Sequence, residues 1–229
     1  MENLIRKATP VLLVFTVVIL LALPMFAASD EETFRNAANV LQAMLDSKDV
    51  PASVVAKADC IIVLPSVKKF AVGIGGTGGR GPMSCRSGKN FSGKWSAPAM
   101  YSIGGASAGF QLGGTATDFV LLIMAPSAVD KVLDSKVKVG SDATAAMGPG
   151  ASAGSSVGGA DILTYSRTSG AFAGVSLNGA SLQPDGDANK RVYGSGVTAR
   201  EIVTGNSVKP TSGGEAFTSL LNSKAAKHM

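Results

Sequence analysis

The pattern of apolar and polar positions first marks off the start of the chain. An almost wholly apolar run, residues 8–23, follows a basic pair and precedes small residues at 27–29. This order is typical of a secretory signal peptide. We therefore predict that residues 1–28 are removed and that residues 29–229 form one exported domain. The alternative is an uncleaved membrane anchor, for which the run is shorter than the ~20 apolar residues that a span needs.

The next segment has the periodicity of an amphipathic helix. Apolar residues recur three and four positions apart, at Phe34, Ala37, Ala38, Leu41, Met44 and Leu45. This spacing predicts a helix over residues 30–47, with acidic residues at its start, where the helix dipole favours them. Pro51 can open a second short helix that runs to Lys57.

From residue 60 onward the pattern is that of β-strands. A continuous apolar run at 60–64 and alternation at 70–74 predict the first two strands. Further strands are expected at 80–86, 99–103, 106–112, 118–124, 162–165, 171–177 and 180–182, and helices at 126–133, 198–203 and 215–221. Residues 138–161, rich in Gly, Ala and Ser, are expected to be strand ends joined by a long loop. This order predicts an α+β fold: an antiparallel, barrel-like sheet with an N-terminal amphipathic helix and short flanking and C-terminal helices.

Composition excludes several kinds of chemistry. The chain has one His and two Cys, too few for a multi-ligand His/Cys metal site. Two Gly-x-Ser-x-Gly matches, at 105–109 and 150–154, lack a base, because the only histidine is His228. The glycines at 73–78 and 88–94 resemble nucleotide-binding loops, but no helix is expected to follow them. We therefore predict no catalytic residues, no cofactor and no metal.

Charge is concentrated in one segment. Residues 57–94 hold seven basic residues and one acid, a net charge of +6, whereas the whole of residues 29–229 carries +4. In the predicted strand 80–86, Arg80 and Arg86 share a face that we expect to meet solvent, while Cys85 points to the core. This distribution indicates either a surface that faces an anion or a solvated rim. The candidate anion-binding residues are Lys68, Lys69, Arg80, Arg86, Lys89 and Lys94. Nucleic acid is not expected as the partner of an exported chain with few aromatic residues near these positions.

The two cysteines lie at positions that we expect to point inward. An exported chain meets an oxidising compartment, so Cys60 and Cys85 can form an intramolecular disulfide. Two buried free thiols would fit the same sequence.

An ordered series of motifs spans most of residues 29–229. They are Ala58–Lys69, the glycines of 73–81, Trp95–Pro98, Gly105–Gly113, Asp118–Met124, Gly148–Gly150, Tyr165–Ser166, Gly170–Gly179 and Tyr193–Gly194. With these motifs the chain resembles the SYLF domain family of lipid-binding proteins, described as an actin-binding homology domain in its yeast members. The resemblance implies a compact β-rich barrel with helices, phosphoinositide binding in eukaryotic members, and no established catalysis. It also implies that an N-terminal amphipathic helix, here from Asp30 to Leu45, and basic residues, here Lys68 and Lys69, engage lipid.

Together these features predict a non-enzymatic protein that engages anionic phospholipid headgroups at a membrane surface. Taken with the export signal, the resemblance implies a bacterial periplasmic member, peripheral to a membrane, with protein partners unknown. The alternative is a periplasmic structural or envelope-stress protein that binds another protein or a polysaccharide.

Overall fold

The computed structural model describes most of the chain beyond the predicted signal peptide. The described residues are 29–72, 74–108, 113–134, 136–139, 144–146, 161–168, 171–172, 177, 179–205 and 207–226. Residues 1–28 and most of the predicted loop 138–161 lie outside them.

Six α-helices occur in the described part of the chain. They are α1 (29–46), α2 (Ala52–Val55), α3 (Pro126–Asp134), α4 (Gly186–Tyr193), α5 (Ala199–Thr204) and α6 (Ser212–Lys224). The helices predicted at 30–47, 126–133, 198–203 and 215–221 are confirmed within a few residues. The sequence analysis missed α4, which Asp185 caps by accepting a hydrogen bond from the Ala188 amide.

The strands form one curled, half-barrel sheet. They are β1 (Cys60–Val72), β2 (Ile74–Cys85), β3 (Ala99–Ala108), β4 (Gly113–Ile123), β5 (Val137–Lys138), β6 (Thr144–Ala146), β7 (Ile162–Thr168), β8 (Ala171–Phe172) and β9 (Ser181–Pro184). Their order is β5-β9-β3-β2-β1-β4-β7-β6, with β8 on β7. Every pairing is antiparallel except that of β6 with β7. The predicted α+β class with an antiparallel sheet is thus confirmed. Residues 99–103 and 106–108, predicted in two separate strands, lie in the single strand β3, and residues 109–112 of the second prediction lie outside the described residues.

Helices cover both faces of the sheet. One apolar cluster joins the sheet to α3 and α5, and another joins its opposite face to α1, α2 and α6. Because β1 contributes Ile62 and Leu64 to the first cluster and Ile61 and Val63 to the second, its apolar run is continuous, as for a strand buried on both faces.

Helix α1 is amphipathic as predicted, and its apolar face is covered by protein. The side chains of Phe34, Ala37, Leu41 and Met44 are fully buried. Among the described residues, no helix is long and apolar enough to cross a membrane.

Candidate functional site

A polar groove of about 660 Å³ lies beside α1, within the usual size of ligand sites. Its walls come from α1, from β1 and β2, and from one residue of β4: Thr33, Asn36, Asn39, Val40, Pro65, Ser66, Lys68, Gly78, Gly79, Arg80 and Asp118. Two of the predicted anion-binding residues, Lys68 and Arg80, are therefore part of one concave surface.

The groove forms where α1 crosses the sheet. At the start of α1, Asp30 is paired with Arg80 of β2. Just after the end of α1, Asp49 lies 3.8 Å from Arg167 of β7. Since β2, β1, β4 and β7 are consecutive strands, α1 spans all four of them. The groove follows this crossing line.

A bulge in β1 shapes the floor of the groove. Between Leu64 and Val67, β1 has one more residue than β4, and the chain turns through Ser66, whose φ of 49° lies in the left-handed region. The Ser66 amide donates to Asp118 Oδ1 at 2.8 Å, which replaces a ladder hydrogen bond lost at the bulge. Opposite the bulge, a Cβ on Gly78 would meet nothing within 4 Å, so the missing side chain leaves the groove open.

Arg80 belongs to a buried ion cluster at the end of the groove. The Asp30 carboxylate is fully buried and pairs with both Arg80 and Arg191, the latter at 2.8 Å. The side-chain hydrogen bond to Asp30 raises the pKa of Arg191, against a smaller opposing effect of burial. Two cations around one carboxylate leave a net positive charge, and the Arg80 side chain remains 30% exposed.

Lys68 and Lys69 mark the border between the groove and the end of the β1–β2 hairpin. Lys68 is exposed and opposite Gly78, while Lys69 is half-buried and opposite Thr77. The Lys69 ammonium lies 5.8 Å from the centre of the Phe119 ring, within cation–π range. Burial lowers the pKa of Lys69.

Lys89 and Lys94 lie at the opposite end of the same hairpin. Both are exposed, in the segment that follows β2. Lys68 is opposite Gly78, and Cys85 lies seven positions further along β2, a distance of ~23 Å at about 3.3 Å per residue. The structure therefore separates the predicted basic patch into two groups.

The prediction that Arg86 faces solvent is wrong. Arg86 is only 2% exposed, and its guanidinium lies 4.3 Å from the centre of the Trp95 ring. It donates to the backbone carbonyls of Ala58, Ala56 and Ala225 at 3.2, 3.1 and 2.6 Å. Both faces of β2 are covered at this end, so alternation along the strand does not bring Arg86 to the surface. Burial lowers the pKa of Arg86, against an opposing effect of Asp59.

Cys60 and Cys85 are register partners on β1 and β2. The structure joins them in a disulfide with an S–S distance of 2.04 Å. The bond closes the end of the hairpin next to Arg86, far from Lys68 and Lys69.

The described residues hold no cluster suited to metal binding or nucleophilic catalysis. No group of three or more His, Cys, Asp or Glu residues there could hold a metal ion. Ser107 lies inside β3 instead of on a strand-to-helix turn, and Ser152 falls outside the described residues. Gly75, Gly76 and Gly78 lie inside β2, which continues as a strand to Cys85 and pairs with β1.

Fold and groove thus define an α+β domain with a polar, partly basic groove between a helix and a sheet. Residues 104–224 match the model of the Ysc84 family, described as Las17-binding protein actin regulator. The chain belongs to this family, and the resemblance drawn from its motifs is confirmed.

Known relatives carry this region within longer chains. An SH3 domain-containing protein of Schizosaccharomyces pombe is 34% identical over 182 residues, 76% of this chain and 41% of its own. SH3 domain-containing YSC84-like protein 1 of Rattus norvegicus is 32% identical over 186 residues, 79% and 53% of the two chains. LAS seventeen-binding protein 3 of Saccharomyces cerevisiae is 30% identical over 183 residues, which are 77% of this chain and 39% of its own. This chain therefore matches about half or less of each relative; two of their names state an SH3 domain, and the third states the binding of LAS seventeen.

Proposed function

We propose that this protein is a non-enzymatic, exported binding domain that attaches to the anionic headgroups of phospholipids. Lys68 carries the proposal, because it is exposed on the wall of the groove that also holds Arg80. A phosphate there would meet two cations of different kinds: a flexible ammonium and a guanidinium held in place by Asp30.

Three features of the structure support this assignment. The positive charge of Lys68 lies on the wall of a concave surface, where fields are focused. Asn36 and Asn39 line the opposite wall and present carboxamides that can donate to phosphate or hydroxyl oxygens. Asp30 does not oppose an anion, since its carboxylate is buried between two arginines.

The proposed mechanism differs from the one that the family resemblance implies, in which α1 engages lipid. The apolar face of α1 is packed against the sheet, so α1 in this conformation has no free apolar face to insert into lipid. The groove offers attachment through charge, at about 1 kcal/mol for each basic residue near an anionic membrane.

Co-sedimentation of residues 29–229 with vesicles tests the proposal. We expect binding to vesicles of phosphatidylcholine with phosphatidylglycerol, weak binding to phosphatidylcholine alone, and a loss of affinity as salt is raised. Equal binding to both kinds of vesicle, or none to either, would contradict an anionic-headgroup function.

The names of the relatives favour a second candidate, the binding of a protein partner. The family description names Las17 and actin, and one relative is named for binding LAS seventeen. Co-sedimentation with filamentous actin in lipid-free buffer tests the actin part of this candidate. Recovery of the protein in the actin pellet, with none in the vesicle pellet, would favour it over lipid.

A further inference from the structure

The end of the sheet beyond Lys68 and Lys69 has no charged residue in its sequence. Positions 70–79, across the β1–β2 hairpin, contain no Asp, Glu, Lys, Arg or His. Positions 95–117, which include β3 and the first half of β4, contain none either. Residues 104–108 of β3 pair with residues 74–78 of β2, and residues 113–116 of β4 pair with residues 68–71 of β1. These parts of the two stretches therefore meet at the same end of the sheet.

This uncharged end extends past the line where α1 crosses the sheet. β1 continues for three residues beyond Lys69, to Val72, which is ~10 Å at about 3.3 Å per residue. Gly104 of β3 and Ala116 of β4 are exposed. A depth of this size matches the ~5–10 Å to which interfacial elements enter a membrane.

The two inner strands at this end have a backbone that is paired on both sides. β1 is paired with β2 on one side and β4 on the other as far as Ala71, and β2 is paired with β1 and β3. Paired amide and carbonyl groups avoid the cost of unsatisfied polar groups in lipid. The inner strands of this end therefore present no unpaired edge to the bilayer.

We propose that this uncharged end of the β1–β2 and β3–β4 strands enters the interfacial layer of an anionic bilayer, with Lys68 and Lys69 at the level of the headgroups. The inference rests on the proposed lipid-binding function and assigns the membrane-facing end of the molecule. Charge fits this orientation, because the two lysines mark the boundary where the uncharged stretch begins. The other end of the hairpin holds Lys89, Lys94 and the buried Arg86, and it faces away from the bilayer.

The first test removes apolar groups without a change of charge. Val72 and Ile74 are register partners at the end of the hairpin, and both become Gln in the double variant V72Q/I74Q. We expect a roughly tenfold or larger rise in the dissociation constant for phosphatidylglycerol vesicles at every salt concentration, because apolar burial is lost. The salt dependence should match that of the unaltered protein, whereas K68Q/K69Q should flatten it.

The second test uses the only tryptophan of the chain as its control. Trp95 is 5% exposed, at the end of the hairpin opposite to Val72. In V72W, lipids with brominated acyl chains should quench part of the fluorescence, while the unaltered protein should show no quenching from Trp95. This variant also covers the case in which V72Q/I74Q does not fold, as thermal unfolding would reveal.

The outcomes separate this inference from the proposed function. If the unaltered protein binds no anionic vesicle, both fail. If it binds but V72Q/I74Q binds equally well and V72W is not quenched, only the orientation is overturned. The unaltered protein and V72Q/I74Q are also compared by sedimentation velocity. If the unaltered protein is a dimer, V72Q/I74Q is a monomer and both bind vesicles equally, this end contacts a second copy of the chain and the orientation is overturned.

Discussion

Arg86 connects three parts of the chain that are far apart in sequence. Its guanidinium donates to Ala56 and Ala58, just after α2, and to Ala225 at the end of α6. Trp95 stacks on the guanidinium and donates its indole N–H to the same Ala225 carbonyl at 3.3 Å. The C-terminal end of α6 is thus fixed by a buried cation, where a positive charge complements the helix dipole.

Replacement of Arg86 should therefore affect stability. We expect Arg86→Ala to lower the free energy of unfolding by about 3 kcal/mol, since buried carbonyls lose their donors. The exposed Lys89→Ala should change it by no more than ~0.5 kcal/mol. Urea unfolding measures both, and coincident midpoints for the two variants would show that the Arg86 contacts do not stabilise the fold.

The three tyrosines link stability to alkaline pH. Burial raises the pKa of Tyr165 to about 12 and raises the pKa values of Tyr101 and Tyr193 further. An unfolded tyrosine ionises near pH 10, so above that pH the unfolded state has lost protons that the folded state keeps. The contribution of the tyrosines to stability should therefore be constant below about pH 10 and fall as the pH rises through 10 towards 12.

Tyrosinate absorbance in the near ultraviolet checks this expectation. In the folded protein we expect no titration step at the ordinary value of ~10, and ionisation together with alkaline unfolding. A separate step near pH 10, with the fold intact by circular dichroism, would contradict it.

At the scale of elements, α1 caps α6 across the fold. The N-cap residue of α6, Thr211, makes no side-chain cap, and instead Glu31 Oε2 of α1 accepts from the Gly213 amide at 2.6 Å. A Cβ on Gly213 would lie 2.5 Å from the Glu31 carbonyl oxygen. The close approach of the two helices thus requires glycine at this position.

This contact reverses the usual effect of glycine replacement in a helix. We expect Gly213→Ala to destabilise the fold by about 1 kcal/mol or more, through overpacking. Gly186→Ala, in the first turn of α4 with nothing within 4 Å of the new Cβ, should be neutral or stabilising by up to ~1 kcal/mol. Thermal unfolding gives both signs, and a rise in Tm for both variants would contradict the packing argument.

The disulfide between Cys60 and Cys85 should stabilise the β1–β2 hairpin. It links residues 25 positions apart, for which loop entropy gives about 3 kcal/mol of stabilisation. Protein that is purified and denatured without reductant should therefore resist alkylation, and reduction should lower the urea midpoint. Alkylation of both thiols before reduction would refute the bond.

At the scale of the whole molecule, pattern and packing explain which predictions succeeded. Periodicity predicted α1 and α3, because an apolar stripe specifies which helix face is buried. It missed α4, which has few apolar residues, although Asp185 and Gly194 mark its ends. Alternation misplaced Arg86, because whether a strand face is covered depends on α2 and α6, which pack there from distant parts of the chain.

In the candidate site, too, local features were predictable and long-range packing was not. The sequence predicted Lys68 and Lys69 as binding residues from charge alone. It could not predict the groove, because the groove depends on where α1 crosses the sheet and on the bulge at Ser66. Charge counting also grouped Lys89 and Lys94 with Lys68, although an extended hairpin holds the two pairs at opposite ends.

If membrane attachment uses one end of the hairpin, two charge-matched variants should differ in their binding. K68Q/K69Q and K89Q/K94Q each remove two positive charges, from opposite ends of the same hairpin. With phosphatidylglycerol vesicles, we predict that K68Q/K69Q raises the dissociation constant roughly tenfold or more, since each basic residue contributes about 1 kcal/mol, and that K89Q/K94Q changes it less than about threefold. Both should unfold at the temperature of the unaltered protein. Equal weakening by the two variants would mean that only net charge matters, and it would contradict a site at Lys68 and Lys69.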